Sequence, residues 1–263
     1  KTTLAKIKVL NVFISQNNFF NKDSIKINEV IIEEANFSLS KDNFKMLNKN
    51  SEDKFPKKKI KIIDSNIFFK DSSNEIITII KLSKALLFHD DVELLNLFDL
   101  DGEVFKIPFT LSFDNTNHHS RDKKINITAK KLKLNIFNKS IKNENQVVGQ
   151  NITSVLNSKI YTKYKKQKNS ILFESDASKI KNSNINYKGK LSFKPFDLKL
   201  DLNIKKYRLS KLLNADSIVS EFLKTKLLFN ENISALTSIG IDSHTNNTFF
   251  DSSLINFRIV GDK

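Results

Sequence analysis

Apolar and polar residues alternate with a period of two through most of this chain, a pattern that predicts β-strands with one dry face and one wet face. Ile107, Phe109, Leu111 and Phe113 fall on one side of one run, and Ile125, Ile127 and Ala129 on one side of the next. Leu132, Leu134 and Ile136 continue the second run after a one-residue slip at Lys130-Lys131, which reads as a bulge. The cleanest alternation is Phe196, Leu198, Leu200, Leu202 and Ile204, interleaved with Asp197, Lys199, Asp201, Asn203 and Lys205. One segment departs from the rhythm. Leu209, Leu212, Leu213, Ile218, Val219, Phe222 and Leu223 recur at helical spacing, with Asp216 placed to cap a second short helix. The pattern predicts a mainly β chain with one or two short amphipathic helices at 209–223, and strands again from Lys226 to Val260.

A short phrase, Ile-x-x-[Ala/Ser]-Asn-[Phe/Ile]-x-apolar, occurs three times: Ile32 to Leu39 through Ala35-Asn36-Phe37, Ile62 to Phe69 through Ser65-Asn66-Ile67, and Ile180 to Tyr187 through Ser183-Asn184-Ile185. Each copy reads as a strand that is interrupted, re-aimed and resumed. The asparagines are 30 and 118 residues apart, so the copies build an extended, quasi-repetitive antiparallel sheet without demanding a strict solenoid. The whole of 1–263 reads as a single extended β domain. Asp101-Gly102 between apolar neighbours predicts a tight hairpin. The polar stretches 41–59, 114–124, 138–145 and 163–170 read as loops, the first long enough to be mobile.

Composition removes several function classes. Only 5 glycines are present, so no phosphate-cradling loop can be drawn. The net charge of +15 suggests an anionic partner, but Arg121, Arg208 and Arg258 are the only arginines, and nucleic-acid readers rely on guanidinium forks. A nucleic-acid partner is therefore not expected. Without cysteine there is neither a disulfide framework nor a thiolate metal site. No apolar run approaches the roughly 20 residues that span a bilayer as a helix. Because the chain opens at Lys1 directly in a strand rhythm, it reads as a piece of a longer polypeptide, with any anchor or export signal outside it.

Candidate chemistry is sparse. His118-His119 lies in a polar loop, and adjacent residues rarely supply two ligands to one tetrahedral metal. His89-Asp90-Asp91 sits where a turn is expected, with no nucleophile or oxyanion motif beside it. His244 stands alone. The expectation is no catalytic residue, no metal, no cofactor and no enzymatic activity. The 22 phenylalanines sit largely within the alternation, where they serve equally as a β-sandwich core or as the lining of an apolar groove.

Three stretches carry a family resemblance: Ser65-Asn66-Ile67-Phe68-Phe69-Lys70-Asp71, the run Leu100-Asp101-Gly102-Glu103-Val104-Phe105-Lys106-Ile107-Pro108-Phe109, and the helical segment 209–223 followed by Leu228-Phe229-Asn230-Glu231-Asn232-Ile233. They resemble the strand openings, the hairpin and the helical insertion of AsmA-like proteins, which serve outer-membrane assembly and lipid transport in diderm bacteria. The resemblance covers most of residues 25 to 260, while the Lys/Asn-rich exterior and the lack of an N-terminal anchor depart from it. It implies a long, curved sheet with an apolar concave groove, held in the periplasm by an inner-membrane anchor outside this segment. Phospholipid acyl chains would be the ligand, and outer-membrane assembly proteins possible partners. The groove lining would be Ile107, Phe109, Leu111, Phe113, Ile125, Ile127, Leu132, Leu134, Ile136, Leu198, Leu200, Leu202 and Ile204. The alternative is a periplasmic or secreted β-sandwich that binds or supports without a conduit.

Overall fold

The computed structural model describes residues 4–15, 26–40, 55–71, 73–116, 122–143, 145–181, 183–193, 196–205, 233–242 and 252–260. The described residues are almost entirely β, in seventeen strands, and the chain divides into two compact units at Lys139/Ser140. The helical segment expected at Leu209–Leu223, and the strand expected at 226–229, lie outside the described residues.

In the first unit β1 (Ala5–Lys6) and β2 (Val9–Ile14) run antiparallel to β4 (Asn36–Ser40) and β3 (Ile27–Glu33) respectively. β3 and β4 are in turn parallel to β5 (Lys59–Lys70). From β5 the order is a simple antiparallel meander through β6 (Ile76–Asp90), β7 (Leu95–Val104), β8 (Ile107–Thr116) and β9 (Asp122–Ala129), and β10 (Leu134–Asn143) lies beside β9. The sheet is therefore mixed and not purely antiparallel. Parallel neighbours need a crossover of a dozen or more residues, and residues 41–58 supply that length.

The parallel register explains the 30-residue spacing of the first two phrases. Glu33 lies opposite Ile63, Asn36 opposite Asn66 and Phe37 opposite Ile67, so the copies stack side by side. Each bends at a residue in the left-handed region, Glu34 at φ 50° and Asp64 at φ 45°. The small residue that follows, Ala35 or Ser65, is buried because the stacked bends leave no room for a larger one. Ser65 Oγ accepts from the Ala35 N–H at 3.0 Å and donates to the Ile63 carbonyl at 2.8 Å, while Asn66 donates to the side chain of Asn36 at 3.1 Å. The third copy does something else. Ile180 pairs with Ser183, so the chain reverses between β13 and β14 there, with Lys181 at φ 53°.

Other turns also fall away from their expected places. Asp101-Gly102 lies inside β7, and the hairpin is made by Phe105 and Lys106, between the paired residues Val104 and Ile107. The Lys130-Lys131 slip is a 3-10 turn, Lys130–Leu132, joining two strands, not a bulge within one. Strand continues through most of 138–145 and well into 163–170, where backbone pairing with the neighbouring strand overrides the weak strand preference of Lys and Asn.

The second unit contains β11 (Gln146–Val155), β12 (Ser158–Lys166), β13 (Ser170–Ile180), β14 (Ser183–Phe193) and β15 (Phe196–Lys205), an antiparallel meander. β16 (Ile233–Asp242) is parallel to β15, and β17 (Ser252–Val260) is antiparallel to β16. Residues 206–232, which contain the expected helical segment, connect the parallel pair.

Candidate functional site

Cross-strand register lines the apolar residues of the first unit into rows. Val30, Ile60, Leu87, Phe98, Phe113 and Ile125 are successive partners across six strands. Ile32, Ile62, Ala85, Leu100, Leu111 and Ile127 form the next row. A third runs Phe37, Ile67, Ile80, Val104 and Ile107. These rows share one face, because Leu82, Ala85 and Leu100 form a buried cluster with Ile62, Ile67, Ile80, Phe98, Phe109 and Leu111 against it. At a strand spacing of about 4.8 Å a six-strand row spans roughly 24 Å, comparable with an extended acyl chain.

The bends would break this face if they did not propagate. A one-residue insertion flips every later side chain across the sheet, so the irregularity at Asp64 in β5 is met by one at Ser83 in β6. The opposite face is more mixed: its charges compensate one another, with Lys61 2.6 Å from Glu29, Lys124 3.6 Å from Asp114 and Lys81 3.7 Å from Glu103, and they are interspersed with Ile31, Ile63, Leu86, Phe88 and Leu97.

Of the residues expected to line a groove, Ile107, Phe109, Leu111, Phe113, Ile125 and Ile127 stand together on the apolar face. Leu134 and Ile136 join them, since Asn135 between them reaches Asn126 and Thr128 on the wet side. Leu132 does not, because it closes the 3-10 turn and is exposed. Leu198, Leu200, Leu202 and Ile204 line one face of β15 in the second unit, opposite Leu191, Gly189, Tyr187 and Ile185 of β14. The ring of Phe173 lies over Gly189, where an added Cβ would come within 2.4 Å of it.

Most of these side chains are half-buried. Among the residues whose burial is described, eight apolar side chains are fully buried. Sequence reading missed Val30, Ile32, Ile60, Ile62, Leu87 and Phe98, whose alternation is interrupted by the bends. Phe55, which packs on Phe113 with ring centroids 6.0 Å apart, gave no signal.

At one end the apolar face becomes polar. His89 pairs with Asn96 and Asn96 with Asn115, both asparagines being buried, and His89 Nδ1 lies 2.8 Å from Asn96 Oδ1. Asp90 ends β6 and accepts the Val92 and Glu93 N–H groups at 2.8 and 3.1 Å. Those two hydrogen bonds hold its carboxyl below the usual carboxylate range. His89 and Asp90 thus end β6, and the Asp90 carboxylate holds the turn at 91–94 that follows. His118, His119 and His244 lie outside the described residues. Among the described residues no three metal-ligating side chains cluster, and no helix is long and apolar enough to cross a membrane.

A cavity of about 530 Å³ opens on the wet face of the second unit. Its floor is a ladder of alternating charge, Lys163, Glu174, Lys188 and Asp201 on successive strands. Opposite charges on neighbouring strands largely compensate one another there, with Asp176 at the rim as one further carboxylate.

No protein-family model, curated protein or solved structure matches this chain.

Proposed function

We propose that this chain is a non-enzymatic, periplasmic segment of an AsmA-like protein, anchored in the inner membrane elsewhere in the polypeptide, which carries or regulates phospholipid movement between inner and outer membranes. The observation that supports the reading is the pair of apolar sheet faces, each several strands wide and half-exposed. A soluble protein rarely leaves so continuous an apolar surface without a use for it. Transfer of an acyl chain to water costs about 0.8 kcal/mol per methylene, on the order of 10 kcal/mol per chain, so a carrier needs a continuous dry lining and few specific contacts. Alternating strands in register provide one.

The test pairs Leu200→Asp with Lys199→Asp, which face opposite sides of β15. On an open, lipid-bearing face Leu200→Asp abolishes capture of a photo-crosslinkable phospholipid and leaves cooperative unfolding largely intact, while Lys199→Asp changes neither. In a sandwich interior the same carboxylate would be buried without a partner, at a cost of several kcal/mol against a stability of about 5–15. Collapse of the Leu200→Asp fold, with no capture by the unaltered chain, rejects the conduit.

A further inference from the structure

The end of the first unit where β7 turns into β8 and β9 into β10 carries residues that the turns themselves do not require. Phe105 and Lys106 occupy the two-residue turn at φ 50° and 62°, positions that favour Asn and Gly, and Phe105 is 76% exposed. In the next turn Leu132 is 43% exposed and Lys133 adopts φ 50°. The turns touch, Lys131 Nζ donating to the Lys106 carbonyl at 3.4 Å. Lys106, Lys130, Lys131 and Lys133 are all exposed, and among the described residues none forms an ion pair. The β5–β6 hairpin ends on the same side and adds exposed Ile76 and Ile77 beside Lys70, Asp71 and Glu75. At the other end of these strands the β6–β7 turn also exposes Val92 and Leu94, but there carboxylates offset the lysines: Asp90, Asp91 and Glu93 stand beside Lys57, Lys58 and Lys59, with Lys57 3.2 Å from Asp91.

We propose that the basic, apolar-tipped end of the first unit docks on a bilayer containing anionic lipids. Phe105 and Leu132 enter the interfacial region, and the four lysines meet headgroup phosphates with their methylene stems lying along the apolar boundary. A bulky side chain in the left-handed region is disfavoured, and one that projects into water contributes nothing to packing in return. Charge complementarity selects the partner, since at the opposite end, with equally exposed apolar tips, the lysines are offset by neighbouring carboxylates and gain less from an anionic surface. The proposal concerns where the molecule rests and is independent of whether its apolar faces carry acyl chains.

The chain has no cysteine, so single labels are clean. An environment-sensitive fluorophore on Phe105→Cys in the full chain should shift to the blue with vesicles of phosphatidylcholine mixed with phosphatidylglycerol, much less with phosphatidylcholine alone, and less as salt rises. The same label on Leu94→Cys should not respond. In vesicle flotation Phe105→Asn, which suits the turn and keeps the fold, should weaken binding about tenfold or more. Lys130→Gln and Lys131→Gln should each weaken it roughly fivefold, and Leu94→Asn should not. Equal response to neutral and anionic vesicles, equal response at position 94, or a response to a soluble polyanion with none to vesicles would overturn the proposal.

Discussion

Gly102 shows how one residue type carries two different meanings. Asp-Gly between apolar residues reads as a turn, yet the backbone there is extended and the glycine serves close approach. A Cβ at 102 would lie 2.8 Å from the Lys81 carbonyl oxygen and 3.2 Å from Leu100 Cδ2. Gly102→Ala should therefore destabilise by about 1–3 kcal/mol. Gly240→Ala, whose nearest neighbour is the side-chain nitrogen of Asn203 at 3.4 Å, should be close to neutral. Thermal unfolding of the two variants separates these outcomes. The hairpin turn itself is illegible in the sequence, because Phe105 and Lys106 are not turn formers and nothing in their identity announces φ above zero. Asp90 was legible as a turn residue, and its pH behaviour follows from its partners. Its lowered folded pKa means that its stabilisation is complete above the ordinary carboxylate range and is lost as pH falls through the folded value. Amide exchange at Val92 and Glu93 should accelerate, relative to the intrinsic rate, in that acid window and be flat above it.

Between elements, the decisive contact is the stacking of the two bends. The phrase was visible in the sequence because its small residue and asparagine are both fixed by the stack, Ala35 and Ser65 by space and Asn36 and Asn66 by their mutual hydrogen bond. That the 30-residue step meant parallel neighbours was not visible, since a repeat has the same spelling whether its copies lie side by side or far apart. The unrelated use of the third copy as a hairpin shows the limit of such a phrase. Ser65→Ala removes the hydroxyl that bridges the bends through the Ala35 N–H and the Ile63 carbonyl. It leaves a buried donor unmatched, so a loss of about 1–3 kcal/mol is expected in denaturant unfolding. Asp64→Gly relieves a left-handed residue at the same bend and should raise stability by up to about 1 kcal/mol.

Over the whole molecule, the alternation that named β8, β9 and β15 as strands also named their dry sides, because those strands carry no irregularity. It failed for β5 and β6, where a residue in the bend shifts the phase and an apolar run such as Ile67-Phe68-Phe69 puts large side chains on both faces. What a lipid carrier would need is a surface whose occupancy follows the pleat. A photo-reactive amino acid placed at Leu111 or Phe113 in the first unit, and at Leu198 or Leu200 in the second, should crosslink co-purified or added phospholipid. The same group at Thr110, Ser112 or Lys199, one residue away and on the wet face, should not. A period of two in the yield, read by mass spectrometry of the lipid adduct, is the signature of a sheet face in contact with hydrocarbon. Uniform labelling at adjacent positions would indicate non-specific adsorption, and labelling confined to one unit would restrict the carrier surface to that unit.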